Sequence, residues 1–217
     1  MRNISPSLLS ADFTNIRSQL SQLQQLGIDR IHLDVMDGHF VPNLTFGPFI
    51  IKQLKSITSL HFETHLMINT PEKYIQDYID AGSDTLIFHY EATNIPHDLL
   101  ADIKKQGVKC GLSIKPETPY QVLNEFTEVL DYILIMSVSP GFGGQGFIDS
   151  TLLKMEAITN LCINNNCRDR ITIGVDGGIN LTTIDKVYDT GIDIAIIGSG
   201  LFNANNLESR YKDLMGE

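Results

Sequence analysis

Four residues of the chain combine side chains that bind a divalent cation with side chains that carry protons. His32 and Asp34 are separated by one residue, His65 follows in a later segment, and Asp176 stands far downstream. Imidazole nitrogens and carboxylate oxygens are ligands for zinc, iron, manganese and cobalt. A lone His-x-Asp sequence is more often a core histidine hydrogen-bonded to a neighbouring acid. The prediction of a site for one divalent metal ion therefore depends on all four residues meeting.

The two carboxylates, Asp34 and Asp176, indicate a reaction as well as a binding site. With a substrate between them, one carboxylate can take a proton from one face of a carbon while the other supplies the opposite face. The carbon must be acidic, which requires an adjacent carbonyl whose developing negative charge a cation stabilises. This chemistry inverts the carbon. By spacing alone, Asp176 is equally consistent with a turn residue before Gly177-Gly178.

Three glycine-rich segments indicate an anionic ligand. They are PGFGGQGF at 140–147, Gly177-Gly178, and Gly198-Ser199-Gly200. Glycine lets backbone N–H groups approach an anion closely, although any one of these clusters is also typical of a tight turn. Because all three follow predicted strands, together they predict a phosphorylated substrate. Residues 140–146 also have the composition of a flexible lid.

Eight short β-branched runs, alternating with longer amphipathic stretches, must position these residues. The predicted strands are Asn3–Leu8, Arg30–Asp34, Leu60–Leu66, Thr85–His89, Lys109–Ser113, Tyr132–Met136, Ile171–Asp176 and Asp193–Gly198. Eight strand–helix units of about 27 residues each predict an α/β fold, a single-domain (β/α)8 TIM barrel over residues 1–217. A doubly wound open sheet is the alternative.

The barrel prediction also says where the chemistry should lie, because active sites of this fold gather at the carboxyl ends of the strands. Buried polar groups at strand ends are costly without partners, so their convergence on one rim indicates a ligand. The polar residues at or near predicted strand ends are Ser7, His32, Asp34, His65, His89 and Asp176.

Composition limits the classes of function. The chain has 16 Lys and Arg against 26 Asp and Glu and a formal charge of −10, with no basic stripe, which argues against nucleic acid as a partner. No run approaches the roughly 18 apolar residues that span a bilayer, so we expect no membrane partner and a cytoplasmic protein. The three cysteines, Cys110, Cys162 and Cys167, lack the spacing of a zinc site and are expected to be thiols.

Six strings of the sequence resemble, in order, those of the ribulose-phosphate 3-epimerase family. They are PSLLSADF, HLDVMDGHFVPNLTFG, THLM, SVSPGFGGQGF, VDGGI and GSGLF, and the resemblance extends over nearly the whole chain. The resemblance implies a metal-dependent isomerase of carbohydrate metabolism. Such an enzyme interconverts ribulose 5-phosphate and xylulose 5-phosphate of the pentose phosphate pathway through an enediolate. It also implies a homo-oligomer.

The same resemblance implies roles for particular residues. It assigns Asp34 and Asp176 as the proton-transferring pair, and His32, Asp34, His65 and Asp176 as the metal ligands. The residues that it places against the substrate are Ser7, His65, Gly141, Phe142, Gly143, Gly144, Asp176, Gly177, Gly178, Gly198 and Ser199. Three methionines, Met36, Met67 and Met136, match an apolar cap over the substrate.

Three positions depart from the family pattern, and none is a proposed metal ligand. Gly174 stands where the family usually has glutamate, Thr64 replaces a more typical apolar residue, and GSGLF replaces a GSA-type string. The GSGLF string lies at the expected phosphate end and is similar to related epimerases that act on hexulose 6-phosphates such as allulose 6-phosphate. A six-carbon substrate is therefore the alternative.

Two further functions compete with an epimerase. A sugar-phosphate decarboxylase of the same barrel superfamily usually carries D-x-K-x-x-D, which is missing here because Val35 and Met36 follow Asp34. A non-catalytic sugar-phosphate binding protein would need the rim glycines but neither both carboxylates nor the two histidines. The joint presence of these residues favours the epimerase, whereas the fold alone decides nothing among the three functions.

Overall fold

Eight parallel β-strands form the centre of the molecule in the computed structural model, which describes residues 2–217. Their bounds are β1 Ile4–Pro6, β2 Arg30–Met36, β3 His61–Met67, β4 Thr85–His89, β5 Lys109–Ile114, β6 Tyr132–Met136, β7 Thr172–Asp176 and β8 Ile194–Ile197. Each strand from β2 to β7 pairs with the next strand in the chain, and β8 pairs with β1. A doubly wound sheet would reverse its strand order at one point. The barrel prediction is confirmed, and the open-sheet alternative is wrong.

The barrel closes between β1 and β2. One β-bridge joins Ser7, the residue after β1, to His32 in β2. The Ser7 hydroxyl also donates a hydrogen bond of 2.5 Å to Asp34 Oδ2. The closing seam of the barrel therefore lies directly beside two of the predicted metal ligands.

Helices and 3-10 turns connect the strands. The α-helices are α1 Ile16–Gln25, α2 Pro48–Lys55, α3 Ile75–Asp80, α4 Pro96–Lys105, α5 Thr151–Asn164, α6 Ile184–Tyr188, α7 Ser199–Phe202 and α8 Leu207–Met215. Between β5 and β6 stands a 3-10 helix, Tyr120–Phe126, in place of an α-helix. Leu123 and Phe126 are buried at a spacing of three, which suits the three-residue turn of a 3-10 helix. No helix within residues 2–217 is long and apolar enough to cross a membrane.

Side chains of the strands alternate between two layers. Leu33 and Val35 face outward into the core between sheet and helices, as the predicted inward orientation of His32 and Asp34 requires. The apolar cluster inside the barrel comes mainly from β4, β6 and β8 and comprises Ile87, Tyr132, Leu134, Met136, Val138, Ile194 and Ile196. The corresponding positions of β1, β2 and β3 include fully buried polar residues, namely Ser5, His32 and Glu63. The barrel interior thus has an apolar side and a polar side.

Two of the predicted strands extend too far at their carboxyl ends. Leu8 was predicted as the end of the first strand, but it begins a 3-10 turn because the Ser7 hydroxyl accepts the Leu9 N–H and turns the chain outward. Gly198 was predicted in the last strand, but β8 ends at Ile197 and Gly198 is the N-cap of α7. Both corrections fall at the cavity end of the barrel, where the chain leaves the sheet.

Gly174, one of the three departures from the family pattern, faces the interior of the barrel. A Cβ atom at this position would overlap the hydroxyl of Tyr132 and lie 2.7 Å from its Cε1 atom. The Tyr132 side chain reaches across from β6, is 3% exposed, and its hydroxyl has no hydrogen-bond partner. The space that a larger residue would occupy at position 174 is therefore filled by the tyrosine ring.

Candidate active site

The four predicted metal ligands meet at the cavity end of the barrel. One ligand atom from each of His32, Asp34, His65 and Asp176 lies within 4.8 Å of the others. His32 and Asp34 share the inner face of β2, while His65 lies directly opposite Asp34 on β3. Asp176 is the last residue of β7. Strand alternation and register therefore bring together residues that lie up to 144 positions apart in the chain.

Contacts within this cluster orient its members. His65 Nδ1 lies 3.2 Å from Asp34 Oδ1 and 3.8 Å from Asp176 Oδ2, so this nitrogen faces both carboxylates. Asp34 Oδ2 accepts the Ser7 hydroxyl. The end of β7 is held from β6, because the Ser137 hydroxyl donates to the carbonyl oxygens of Asp176 and Gly177 at 3.0 and 2.7 Å. Both carboxylates are thus carried by backbone segments that neighbouring strands fix.

His32 provides a test of whether a metal ion fits the cluster. Its side chain is fully buried, and neither ring nitrogen has a hydrogen-bond partner. Its Nε2 atom lies 3.5 Å from Asp34 Oδ1. An unpartnered buried polar atom costs about 1–3 kcal/mol, and a cation accepting the nitrogen lone pair would remove that cost. A set of two imidazoles and two carboxylates also suits a first-row divalent metal, so the residues fit the predicted ion.

The electrostatics of the cluster separate the two carboxyl groups. Burial and the charge of Asp34 raise the pKa of Asp176 to about 7. Burial opposes ionisation of Asp34 too, but His32 and His65 outweigh it and hold the pKa of Asp34 well below its usual range. Burial lowers the pKa of His65 to about 3, whereas the Asp34 carboxylate overcomes burial and raises the pKa of His32 to about 10. Two carboxyl groups with separated pKa values are typical of an acid and a base that work together.

A cavity of about 270 Å³ opens above the two carboxylates. Its predicted lining residues are Ser7, Asp34, Met36, Met67, Met136, Gly141, Phe142, Gly143, Gly144, Asp176, Gly177, Gly178, Gly198 and Ser199. His32 and His65 are fully buried and do not line the cavity. Direct contact between His65 and a substrate therefore stays a prediction. Among the described residues that line the cavity, none is Lys or Arg, so an anion would have to be bound by backbone N–H and neutral polar groups, away from the two aspartates.

The glycines at the cavity wall have packing reasons of their own. A Cβ on Gly177 would overlap Val138, and one on Gly178 would lie 2.6 Å from the Phe147 nitrogen. Both glycines also have positive φ angles, of 119° and 66°. A Cβ on Gly198 would lie 2.7 Å from the Ser10 hydroxyl. The close approach of neighbouring loops thus requires small residues here independently of any phosphate.

The loop after β6, predicted as a lid, forms hydrogen bonds within itself and with the loop after β2. Gln145 donates to the carbonyl oxygens of Ser139 and Phe142 at 2.7 and 2.8 Å. Asn43 donates to the Gly141 carbonyl at 2.7 Å. Phe142 remains 53% exposed. The segment therefore stands over the cavity as a compact turn, and lid motion stays a prediction.

The three methionines form part of the cavity wall near the carboxylates. Met36 and Met67 are opposite each other in the register of β2 and β3, and they pack with Val41. Met136 is paired in register with Asp176. An apolar wall at this position limits the water that reaches a reacting carbon. Their role as a cap over a substrate stays a prediction.

Several residues of this region were not identified from the sequence. Ser10, Gln145, Asn180 and Asn203 line the cavity. Glu63 lies beneath it, fully buried, with one carboxylate oxygen 3.7 Å from His32 Nδ1. The four cavity residues are single polar residues with no spacing that would mark them. Glu63 could have been identified, because it is an acidic residue two positions before the predicted ligand His65, on the same face of the strand.

The other two departures from the family pattern also have packing explanations. The Thr64 hydroxyl lies outside the barrel and forms a buried 2.7 Å hydrogen bond with Ser83. A Cβ on Gly200, in the GSGLF string, would overlap the Ile179 carbonyl oxygen. Neither departure touches the four clustered side chains. The GSGLF string therefore follows from the close approach of the loop after β7 and does not by itself indicate a larger substrate.

Comparisons with known proteins agree with the geometry. The sequence model described as "Ribulose-phosphate 3 epimerase family" matches residues 3–202. A ribulose-phosphate 3-epimerase of Bacillus subtilis (strain 168) is 39% identical over 216 residues, covering 100% of this chain and 99% of the relative. One of Treponema pallidum (strain Nichols) is 41% identical, covering 98% of this chain and 97% of the relative.

The fold is also similar to solved structures of distant sequence. A mutant tryptophan synthase α-subunit of Pyrococcus furiosus aligns with a TM-score of 0.74 at 12% identity, over 99% of this chain and 98% of that one. Identity this low shows the shared barrel alone.

Proposed function

The chain belongs to the ribulose-phosphate 3-epimerase family and is an epimerase, and we propose that it interconverts D-ribulose 5-phosphate and D-xylulose 5-phosphate. The observation that carries this proposal is the convergence of Asp34 and Asp176 on one cavity, with His32 and His65 directly beside them. An epimerase at the carbon next to a carbonyl needs two proton carriers and a stabiliser for the oxygen. All three parts fit this cluster.

The two aspartates are the proposed proton carriers. Asp34 comes from β2 and Asp176 from β7, and both line the cavity. With the reacting carbon between them, one carboxylate removes its proton and the other returns a proton to the opposite face, through an enediolate of the substrate. The Ser7 hydroxyl on Asp34 Oδ2 keeps one oxygen of that carboxylate oriented. Inversion follows because the proton leaves one face of the carbon and a proton returns to the other face.

One divalent metal ion is the proposed cofactor, held by His32, Asp34, His65 and Asp176. When bound, it acts as a Lewis acid on the substrate oxygens and stabilises the negative charge of the enediolate. The unpartnered nitrogens of His32 and the inward Nδ1 of His65 support this assignment. Zinc, iron, manganese and cobalt all accept this ligand set.

The phosphate of the substrate is proposed to lie at the glycine-lined end of the cavity. The residues proposed to contact the substrate as a whole, at its phosphate or near the carboxylates, are Ser7, His65, Gly141, Phe142, Gly143, Gly144, Asp176, Gly177, Gly178, Gly198 and Ser199. Backbone N–H groups have to supply most of the binding, because no Lys or Arg lines the described cavity wall. Met36, Met67 and Met136 then cap the sugar and limit access of water.

A coupled assay tests the proposal most directly. The metal-loaded protein is given ribulose 5-phosphate and, separately, allulose 6-phosphate at matched concentrations. We expect kcat/KM to be higher for the five-carbon ketose. A clear preference for allulose 6-phosphate would assign the six-carbon alternative. Release of CO2 from a ketose acid phosphate would indicate a decarboxylase, and binding without turnover of any ketose phosphate would overturn the enzymatic proposal.

A further inference from the structure

His89 has no part in the proposed reaction, but its side chain contacts the predicted metal ligand His65. It is the last residue of β4 and is fully buried. Its Nε2 atom lies 2.9 Å from His65 Nε2, on the side of the His65 ring away from the carboxylates. Its Nδ1 atom lies 3.2 Å from Glu91 Oε2. The three residues therefore form a continuous contact from the loop after β4 to a predicted metal ligand.

Glu91 is the fixed end of this connection. Its Oε1 atom accepts the Lys115 N–H at 2.9 Å and the Thr118 hydroxyl, both from the loop after β5. A backbone N–H can only donate, and an ionised carboxylate can only accept. Burial would raise the pKa of Glu91, but its hydrogen bonds with His89, Lys115 and Thr118 lower the pKa to about 2. The carboxylate therefore faces His89 as an acceptor.

The direction of each hydrogen bond follows from that acceptor together with a cation bound at His65 Nδ1, because without the cation the Asp34 carboxylate is a second acceptor at the other end of the connection. A neutral imidazole carries one N–H and one lone pair. Because Glu91 accepts, His89 carries its proton on Nδ1 and presents a lone pair at Nε2. His65 must then donate from its own Nε2, which leaves a lone pair on its Nδ1. That bare nitrogen lies 3.2 Å from Asp34 Oδ1 and faces both carboxylates, where a cation would lie.

We infer that His89 and Glu91 are positioning residues that hold His65 in the tautomer required of a metal ligand. The inference deepens the proposed function, because it rests on the proposed metal site. His32 offers an internal contrast, since its Nδ1 is 3.7 Å from Glu63 and has no hydrogen-bond partner. Outer partners of ligating histidines typically change metal affinity about 10- to 100-fold when removed. Of the two histidines, His65 is the one with such a partner.

The test measures the affinity of the full chain for Zn²⁺ alone, by competition with a chromogenic chelator and without substrate. We expect Glu91→Ala to weaken Zn²⁺ binding about 10- to 100-fold, and Glu91→Gln, which keeps an acceptor, to fall between it and the parent. The matched control is Glu125→Ala. Its side chain is 59% exposed and lies 3.5 Å from His97, and it should bind as the parent does. His65→Ala is the positive control for loss of a ligand.

A second measurement does not depend on any variant folding. Nitrogen-15 NMR of the parent, metal-free and Zn²⁺-loaded, reports which ring nitrogen of each histidine is protonated. We expect the Zn²⁺-loaded sample to carry the proton on Nε2 of His65 and on Nδ1 of His89. A proton on Nε2 of His89 in the Zn²⁺-loaded parent would overturn the inference.

The outcomes separate this inference from the proposed function. A parent that binds no Zn²⁺ would overturn both. Loss of binding in His65→Ala, with Glu91→Ala unchanged and melting at the parent temperature, would overturn the positioning role alone. Weakened Zn²⁺ binding in Glu91→Ala, with a parent-like melting temperature in the metal-free state, would support the positioning role. Loss of a merely structural residue would lower the melting temperature as well as the Zn²⁺ affinity.

Discussion

The two sides of the cavity are made from different parts of the polypeptide. On one side, β2 supplies Asp34 to the cavity wall, and the buried side chains of His32 and His65 lie directly behind it, each fixed by strand register. On the other side, the loops after β6, β7 and β8 present glycines, at positions where neighbouring loops leave little room for a side chain. Strand-borne side chains hold position more accurately than loops do.

Because of this difference, we expect the two sides of the cavity to respond differently to substitutions. The strand side should fail when atoms are removed, because each imidazole or carboxylate is a unique chemical group. The glycine side should fail when atoms are added, because its donors are backbone N–H groups, which no substitution other than proline deletes. Asp176 belongs to the strand side by its chemistry, yet it directly precedes Gly177 at the boundary of the two. The following predictions test the separation, beginning with the largest expected effect.

Asp176→Asn should lower epimerisation by about 10²- to 10⁴-fold, because one of the two proton carriers is lost. Asp34 should still exchange the C3 proton of one epimer with deuterated solvent, and Asp34→Asn should show the opposite preference. Proton NMR of both epimers in D2O measures the exchange. Asp189→Asn, on an exposed residue, is the control. Metal content must be matched, and exchange of the same epimer in both variants would contradict the assignment.

Removal of the metal ion from the parent protein should abolish most of its activity, because the enediolate then lacks its main electrostatic stabiliser. Treatment with a chelator followed by elemental analysis and a rate assay measures the loss, and added divalent ion should restore the rate. His32→Ala and His65→Ala should each lower occupancy. Full turnover by protein shown to hold no metal would contradict the role of the metal ion in the reaction.

Gly198→Ala should raise KM for the phosphorylated ketose roughly tenfold, the equivalent of losing about one hydrogen bond to a charged group. The added methyl would lie 2.7 Å from the Ser10 hydroxyl, so the Ser10 side chain, which also lines the cavity, would have to move. Gly47→Ala is a matched control, because no atom lies within 4 Å of its added carbon. Steady-state kinetics with both variants decide the point, and equal KM values would place the phosphate elsewhere.

Gly174→Ala should leave KM and kcat within about twofold of the parent, while overpacking lowers the free energy of unfolding by about 1–3 kcal/mol. This glycine lies on a strand, inside the barrel and against Tyr132, so an added atom affects packing without touching the glycine-lined cavity wall. Urea denaturation measures the loss. Tyr132→Leu in the same chain should restore much of the stability, and failure of that rescue would mean that another contact limits the site.

The sequence predicted the barrel and the metal cluster because both depend on patterns with a short range. Strand alternation places His32 with Asp34, and the fold rule places strand ends on one rim. Strand bounds failed at Leu8 and Gly198, where a side-chain hydrogen bond and a helix cap decide the exit from the sheet. Those contacts depend on single atoms that a hydrophobic pattern does not record.

Contacts between distant parts of the chain could not be predicted either, because they also depend on single atoms that a hydrophobic pattern does not record. Glu91 reaches the metal cluster only through His89, and its own position depends on the loop after β5. Nothing in the spacing of Glu91 and Thr118 marks that connection. The homo-oligomer implied by the family resemblance and the expected cytoplasmic location stay predictions, and light scattering and fractionation would check them.

The contact between Tyr132 and Gly174 restricts the order in which these two positions can change during evolution. A tyrosine at 132 cannot take its present place while a side chain occupies position 174, because the two overlap. The glycine therefore has to come first. Once the ring has filled the space, a larger side chain at position 174 is blocked until the ring is lost. Lineages that share the tyrosine should therefore share the glycine, whereas the glycine can occur alone.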